Sequence, residues 1–258
     1  MEHLIAIANE ALDASGAVIR PYFRVGLGAD DKSDESPVTV ADRKAEETLR
    51  TFLMAATPDF GIIGEEFPPH NESAKYVWVV DPIDGTRAFI TGRPSFTTLL
   101  ALLEDGVPVL GFIDQPITHE RWQGGQGLTT QFSSPYGGVV GTRATVPLAH
   151  AELSATTPEM FQGTDMPRFT RLQQAAKRTY WGGDAYAFGL LALGQIDLVA
   201  ETRLKLWDWA ALVPIIEGAG GVVTDWAGGK LKRGSDGSVL ASANASLHQQ
   251  ALAHLAVS

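Results

Sequence analysis

The chain has 258 residues, of which 45% are hydrophobic and 19% charged, and its 30 acidic and 20 basic side chains give a formal charge of −10. This composition provides a sizeable core, excludes disorder, and, without any Lys/Arg run, disfavours nucleic acid, whose phosphates the acidic surface repels. The absence of cysteine excludes disulfides, thiolate metal sites and a Cys nucleophile, and fits a reducing compartment.

In chain order, the helical period of Leu4, Ile5, Ala8, Leu12, Ile19 and Phe23 predicts a first helix, with Pro21 kinking it or ending it early. A polar loop long enough to be mobile is expected over residues 26–37. Thr39 is placed as the N-cap of a second helix running through Ala41, Ala45, Leu49 and Leu53 and closed by Pro58. Short strands are predicted over 60–63, 76–80, 97–103, 107–113 and 121–122, with Glu104-Asp105-Gly106 as a tight hairpin. Beyond about residue 145 strands (152–156, 178–181, 196–200, 221–224) alternate with helices (167–176, 185–193, 207–217, 243–255). The expectation is therefore an N-terminal α+β half, 1–144, with two helices on an antiparallel sheet, and a C-terminal α/β half, 145–258, in one compact body. No stretch approaches the ~18 apolar residues that span a bilayer. The start Met1-Glu2-His3-Leu4 lacks signal-peptide character, so a cytoplasmic protein is expected.

The strongest local signal is Val77-Trp78-Val79-Val80-Asp81-Pro82-Ile83-Asp84-Gly85-Thr86. A strand runs into two carboxylates flanking a proline, and Pro82 is expected to set a turn that lets Asp81 and Asp84 converge. Two anions that close repel unless a cation sits between them. Gly85 lets the backbone approach a ligand, and amides opening a helix near Arg87 suit phosphate oxygens. Taken alone, an Asx turn with Asp84 as a helix cap accounts for the segment equally well. Gly64-Glu65-Glu66 adds a carboxylate pair at another strand end. Trp207-Asp208 opens an apolar helix, where Asp208 on its own reads as an N-cap. Together, Glu65, Asp81, Asp84 and Asp208 sit at element ends that α/β layers gather on one rim. An all-oxygen ligand set suits Mg²⁺ rather than Zn²⁺. Such cations would also reverse the local charge that otherwise repels a phosphorylated metabolite.

The run Asp81 to Thr86, with Trp207-Asp208, eleven intervening residues and then Gly220-Gly221, resembles the two-part signature of the inositol monophosphatase superfamily. Gly64-Glu65-Glu66 and Val38-Thr39-Val40-Ala41-Asp42 match its pattern in order and spacing. The resemblance implies the α/β (α+β) layered α-β-α-β-α sandwich, usually a homodimer, and a Mg²⁺-dependent phosphomonoesterase with two or three ions. By it, Glu65, Asp81 and the carbonyl of Ile83 hold one ion and Asp81, Asp84 and Asp208 a second, while Glu65 helps hold a third through waters. Thr86 and Asp42 form the dyad that orients and deprotonates water, and Lys32 matches a lysine on the family's mobile loop. Substrate would lie against Asp84, Gly85, Thr86, Gly183, Asp184, Glu201 and Asp208.

Within the superfamily, residues 81–116 and 215–226, with Gly182-Gly183-Asp184-Ala185-Tyr186, most resemble the histidinol-phosphate phosphatases. Asp184, ahead of the apolar run 185–193, is an N-cap, an anion for a substrate's protonated amine or imidazole, or both. The alternatives are an inositol-1-phosphate or broad-specificity sugar or nucleotide phosphatase, and an idle Mg²⁺-binding regulatory module.

Overall fold

The structure is a computed structural model and describes residues 1–25, 37–144 and 146–256. Helix α1 (Glu2–Ile19) buries Ile7, Ala8, Ala11, Leu12 and Ile19 on one face. It stops at a 3₁₀ turn, Arg20–Tyr22, because Pro21 cannot continue the hydrogen-bond ladder. Helix α2 (Pro37–Ala56) begins two residues before the expected cap, so Thr39 lies inside its first turn. Proline suits that first position, where its missing N–H costs nothing.

Strands β1 (Gly61–Gly64), β2 (Tyr76–Asp84), β3 (Thr97–Glu104), β4 (Val107–Gln115), β5 (Glu120–Gly125) and β6 (Gln131–Ser133) form one sheet in sequential order. Only β1 and β2 are parallel within it. The expected hairpin joins β3 to β4, with Asp105 and Gly106 both at positive φ (49° and 81°), a type I′ pattern.

After helix α3 (Thr86–Ile90), which leaves β2, the second half alternates. Its elements are β7 (Glu152–Ala155), α4 (Asp165–Ala175), β8 (Arg178–Trp181), α5 (Asp184–Ala192), β9 (Leu198–Glu201), α6 (Leu206–Trp209), α7 (Leu212–Gly218), β10 (Val222–Thr224), β11 (Val239–Ser242) and α8 (Ala245–Leu255). The second sheet is ordered β10-β11-β9-β7-β8, with β7, β8 and β9 parallel. The single helix expected over 207–217 is broken into α6 and α7. Pro214 offers no N–H to the carbonyl of Ala210, so a continuous helix cannot form there. Strands β6 and β11 had no signal in the sequence: β6 is a three-residue edge, and β11 is buried throughout and shows no alternation.

Strand alternation sets the layers. On β2, Trp78 and Val80 pack with Leu12, Leu49 and Leu53 of α1 and α2. Val77 and Val79 face the other way, onto α5 and α7. Those helices meet Val199 and Ala241 of the second sheet, whose far face packs on α4 and α8 through Leu153, Leu198, Phe169 and Leu247. The result is the expected α-β-α-β-α sandwich.

Candidate metal centre and substrate cavity

The parallel strands of both sheets end on one rim. Glu65 follows β1, Asp81 and Asp84 close β2, Thr156 follows β7, and Glu201 ends β9. Asp184 is the first residue of α5, and Asp208 lies in α6. A cavity of about 210 Å³ opens among them, lined by six carboxylates, Glu65, Asp81, Asp84, Asp184, Glu201 and Asp208. No Lys, Arg or His stands among its described lining residues.

The Asp81–Asp84 segment is a bulge in a strand, where a turn was expected. Asp81 pairs with Leu99 and Asp84 with Thr97, so Pro82 and Ile83 oppose the single residue Thr98. Residues three apart on a regular strand point to opposite faces; one extra residue restores the parity and brings both carboxylates to the same side. Pro82 suits this position because it has no N–H to lose from the ladder. Its carbonyl instead accepts the Thr98 hydroxyl at 2.7 Å, and Asp81 Oδ1 accepts the Ile83 N–H at 3.1 Å. Ligand oxygens of Asp81, Asp84 and Asp208 lie within 4.8 Å of one another.

Two of these side chains are anchored from outside the cluster. Asp208 Oδ2 accepts the Lys205 N–H at 2.7 Å, so Asp208 is the third residue of α6 and closes a capping box, not the N-cap. Asp84 Oδ2 accepts the Ala185 N–H at 2.7 Å, so it is Asp84 that satisfies the start of α5. Asp184 is therefore no cap: Gly183 occupies that position, with no side-chain capping bond. Asp184 adopts φ 45°, a left-handed conformation that Asp and Asn tolerate better than most residues. Opposite it, Gly85 sits at φ 82°, and a Cβ there would approach Asp184 Cγ at 3.1 Å and Phe96 Cα at 3.2 Å. Glycine is needed where the two sheets' contributions touch.

Burial and mutual repulsion dominate the electrostatics. Burial, then Asp84, Glu65 and Asp208, raises Asp81 well above the usual carboxylate range. Asp84 is raised by burial, then by Asp184 and Asp208. Burial, then Asp208 and Glu66, pushes Glu65 up to about 7, although a hydrogen bond with Asp81 opposes the shift. Burial lifts Asp208 to about 6. Asp42, buried on α2, reaches about 8 through burial and the charges of Glu66, Glu65 and Glu46. Such a cluster cannot be fully ionised near neutral pH unless a cation joins it. An all-oxygen, convergent donor set, with Asp81 buried, Asp84 and Asp208 half-buried and Glu65 exposed, fits a hard divalent ion.

Of the expected catalytic dyad, Thr86 Oγ1 donates to the Ile83 carbonyl at 3.3 Å, and Asp42 Oδ1 is buried without a partner. No hydrogen bond joins Thr86 to Asp42 among the described residues. Lys32 lies outside them. Four lining side chains had escaped the sequence reading: Thr156, Met160, Phe188 and Leu204. Thr156 donates its hydroxyl to Glu201 Oε1 at 2.7 Å, and Met160 lines the same cavity. A polar residue closing a predicted strand at 156 was the available signal for the first. Burial raises Glu201 to about 7 despite the Thr156 hydroxyl, and raises Asp184, partly offset by Thr156 and by the charge of Arg87.

Carboxylates converging from parallel strand ends of a five-layered sandwich define the metal-assisted phosphatases of this fold. Residues 1–258 match the inositol monophosphatase family, and the chain belongs to it. Its enzymes are phosphoric monoester hydrolases that use Mg²⁺. The chain is 44% identical over 264 residues to the chloroplastic bifunctional phosphatase IMPL2 of Arabidopsis thaliana, covering 99% of this chain and 75% of that one. It is 34% identical to the histidinol-phosphatase of Mycobacterium tuberculosis, covering 97% of both. An inositol monophosphatase from Zymomonas mobilis superposes with a TM-score of 0.91 at 46% identity over 98% of each chain. Among the described residues no helix is long and apolar enough to cross a membrane.

Proposed function

We propose that this chain is a Mg²⁺-dependent phosphatase of L-histidinol phosphate. The observation that carries the substrate choice is the cavity lining, where Asp184 and Glu201 add two carboxylates to those of the metal cluster and no described lining residue is a cation. Such a lining suits a phosphate ester that also carries a protonated amine. Glu65, Asp81, Asp84 and Asp208, with the Ile83 carbonyl, would hold the ions. When bound, Mg²⁺ supplies neutralisation of the phosphate charge and acidifies the attacking water. Asp42, with its partnerless buried oxygen, is the group available to take the water's proton, and Thr86 is available to orient it. Gly85 brings backbone close to the phosphate, while Thr156 holds Glu201 toward the substrate's amine.

A second reading, an inositol-phosphate phosphatase, draws on the likeness to the Zymomonas enzyme. Phosphate release from L-histidinol phosphate and myo-inositol 1-phosphate, each with Mg²⁺, separates the two. Asp184→Asn sharpens the test, because Asn tolerates the left-handed backbone but offers no anion. Losing a charge-assisted hydrogen bond of about 1.5–3 kcal/mol lowers kcat/KM for histidinol phosphate roughly 10- to 150-fold. The melting temperature and turnover of myo-inositol 1-phosphate, which carries no amine, are expected to hold. Equal effects on both esters would remove Asp184 from the substrate assignment.

A further inference from the structure

Outside the cavity, an ion pair on α2 grips the turn that presents Glu65. Glu46 is 0% exposed. It lies four residues after Asp42 and four before Arg50, so all three share one face of the helix. Arg50 Nε donates to Glu46 Oε1 at 2.7 Å, and its Nη2 donates to the Phe67 carbonyl at 3.1 Å. The guanidinium also sits 5.7 Å from the centre of the Phe67 ring. The second Glu46 oxygen accepts the Glu66 N–H at 2.8 Å. The carboxylate packs directly on Gly64, where a Cβ would stand 2.1 Å from Oε1.

The backbone is therefore held on both sides of Glu65: at Gly64 by contact, at Glu66 through its N–H, and at Phe67 through its carbonyl. A buried ion pair is a poor source of net stability, since its desolvation offsets its attraction. Fixing a peptide plane is a use that does not depend on that balance. Glu65 needs such help because it sits just beyond the end of β1, where the sheet no longer constrains it.

We propose that Glu46 and Arg50 are positioning residues that hold the Glu65 carboxylate in place for cation binding, a role that rests on the metal-centre reading above. The test uses the full chain, stripped with chelator, and Mn²⁺ as probe, with free Mn²⁺ counted by electron paramagnetic resonance. Glu46→Gln keeps the side-chain size but turns an NH₂ toward one of the two donors. Loss of a group that orients a ligand weakens metal affinity about 10- to 100-fold, and that is the expected fall in Mn²⁺ affinity. Raised Mg²⁺ is expected to restore kcat, with KM for the ester unchanged. Glu46→Asp keeps the charge but falls short by one methylene. It is expected to show the same loss, and it serves if the Gln variant does not fold. Glu65→Gln is the reference. If it binds Mn²⁺ as tightly as the parent, the metal-centre reading itself fails. If it binds weakly while the Glu46 variants bind like the parent, even at a lower melting temperature, the pair is only structural and the proposal is overturned.

Discussion

Replacing Asp81 with Asn isolates the central charge of the cluster. Asp81 is only 2% exposed, and the Asn side-chain oxygen can still accept the Ile83 N–H that shapes the bulge. Its neighbours Asp84 and Asp208 lie within 4.8 Å, a separation at which two full charges repel by about 3–4 kcal/mol at an effective dielectric near 20. The metal-free cluster already relieves much of this by binding protons, so the gain on neutralising Asp81 is smaller, on the order of 1–2 kcal/mol. For a chain of this size that raises the metal-free melting temperature by about 2–8 °C. Mg²⁺ has the opposite consequence. At a hundred times its dissociation constant a ligand stabilises the native state by about 2.7 kcal/mol, and the variant loses that increment. Melts in chelator and in Mg²⁺, beside a phosphate-release assay, read both effects. Turnover is expected to vanish while the protein stays folded. An unchanged Mg²⁺-induced shift in Asp81→Asn would refute the placement of the cation.

Metal-free stability should fall as pH rises from ordinary carboxylate values towards 8. The native state retains protons on Asp208 (about 6), Glu65 and Glu201 (about 7) and Asp42 (about 8) that the unfolded chain has already released. Urea titrations in chelator across that range check the sign, and saturating Mg²⁺ should flatten the slope. Gly85→Ala should cost about 1–3 kcal/mol, because its Cβ meets Asp184 and Phe96 from a left-handed backbone. An unshifted melting temperature would show that the contact is loose.

The fold was legible because the two halves announce themselves differently. Residues 60–125 alternate between short apolar runs and Gly or acidic turns, and the later half shows helical periods between strands. What escaped was set by tertiary context. Strand β11 is a short buried run with no alternation, and α7 owes its start to a proline that a periodicity count passes over. At the site, residue type was readable and geometry was not. Asp81 and Asp84 stand out as acids flanking a proline, but only their pairing with Leu99 and Thr97 of β3 reveals that a bulge makes them converge. Asp184 carries every mark of an N-cap, yet the bond that caps the helix, from the Ala185 N–H, goes to Asp84, a hundred and one residues before Ala185. Glu46 resembles any acid on an amphipathic helix until Glu66 and Gly64 are seen packed against it.

The way the cavity is assembled bears on how substrate choice is set. Glu65, Asp81 and Asp84 come from the first sheet, whereas Thr156, Asp184 and Glu201 come from the second sheet and α5. The two sets meet at the Asp84–Ala185 hydrogen bond and at the Gly85–Asp184 contact. On the proposed reading, cleavage belongs to one side of this seam and recognition of the substrate's amine to the other. A substitution at Asp184 or Glu201 then changes which ester is turned over without disturbing the cation. A substitution at Asp84 acts on both, because the same carboxylate faces the metal cluster and starts the helix that carries Asp184. Asp84 is thus the residue at which a loss of metal binding and a loss of substrate preference cannot be separated.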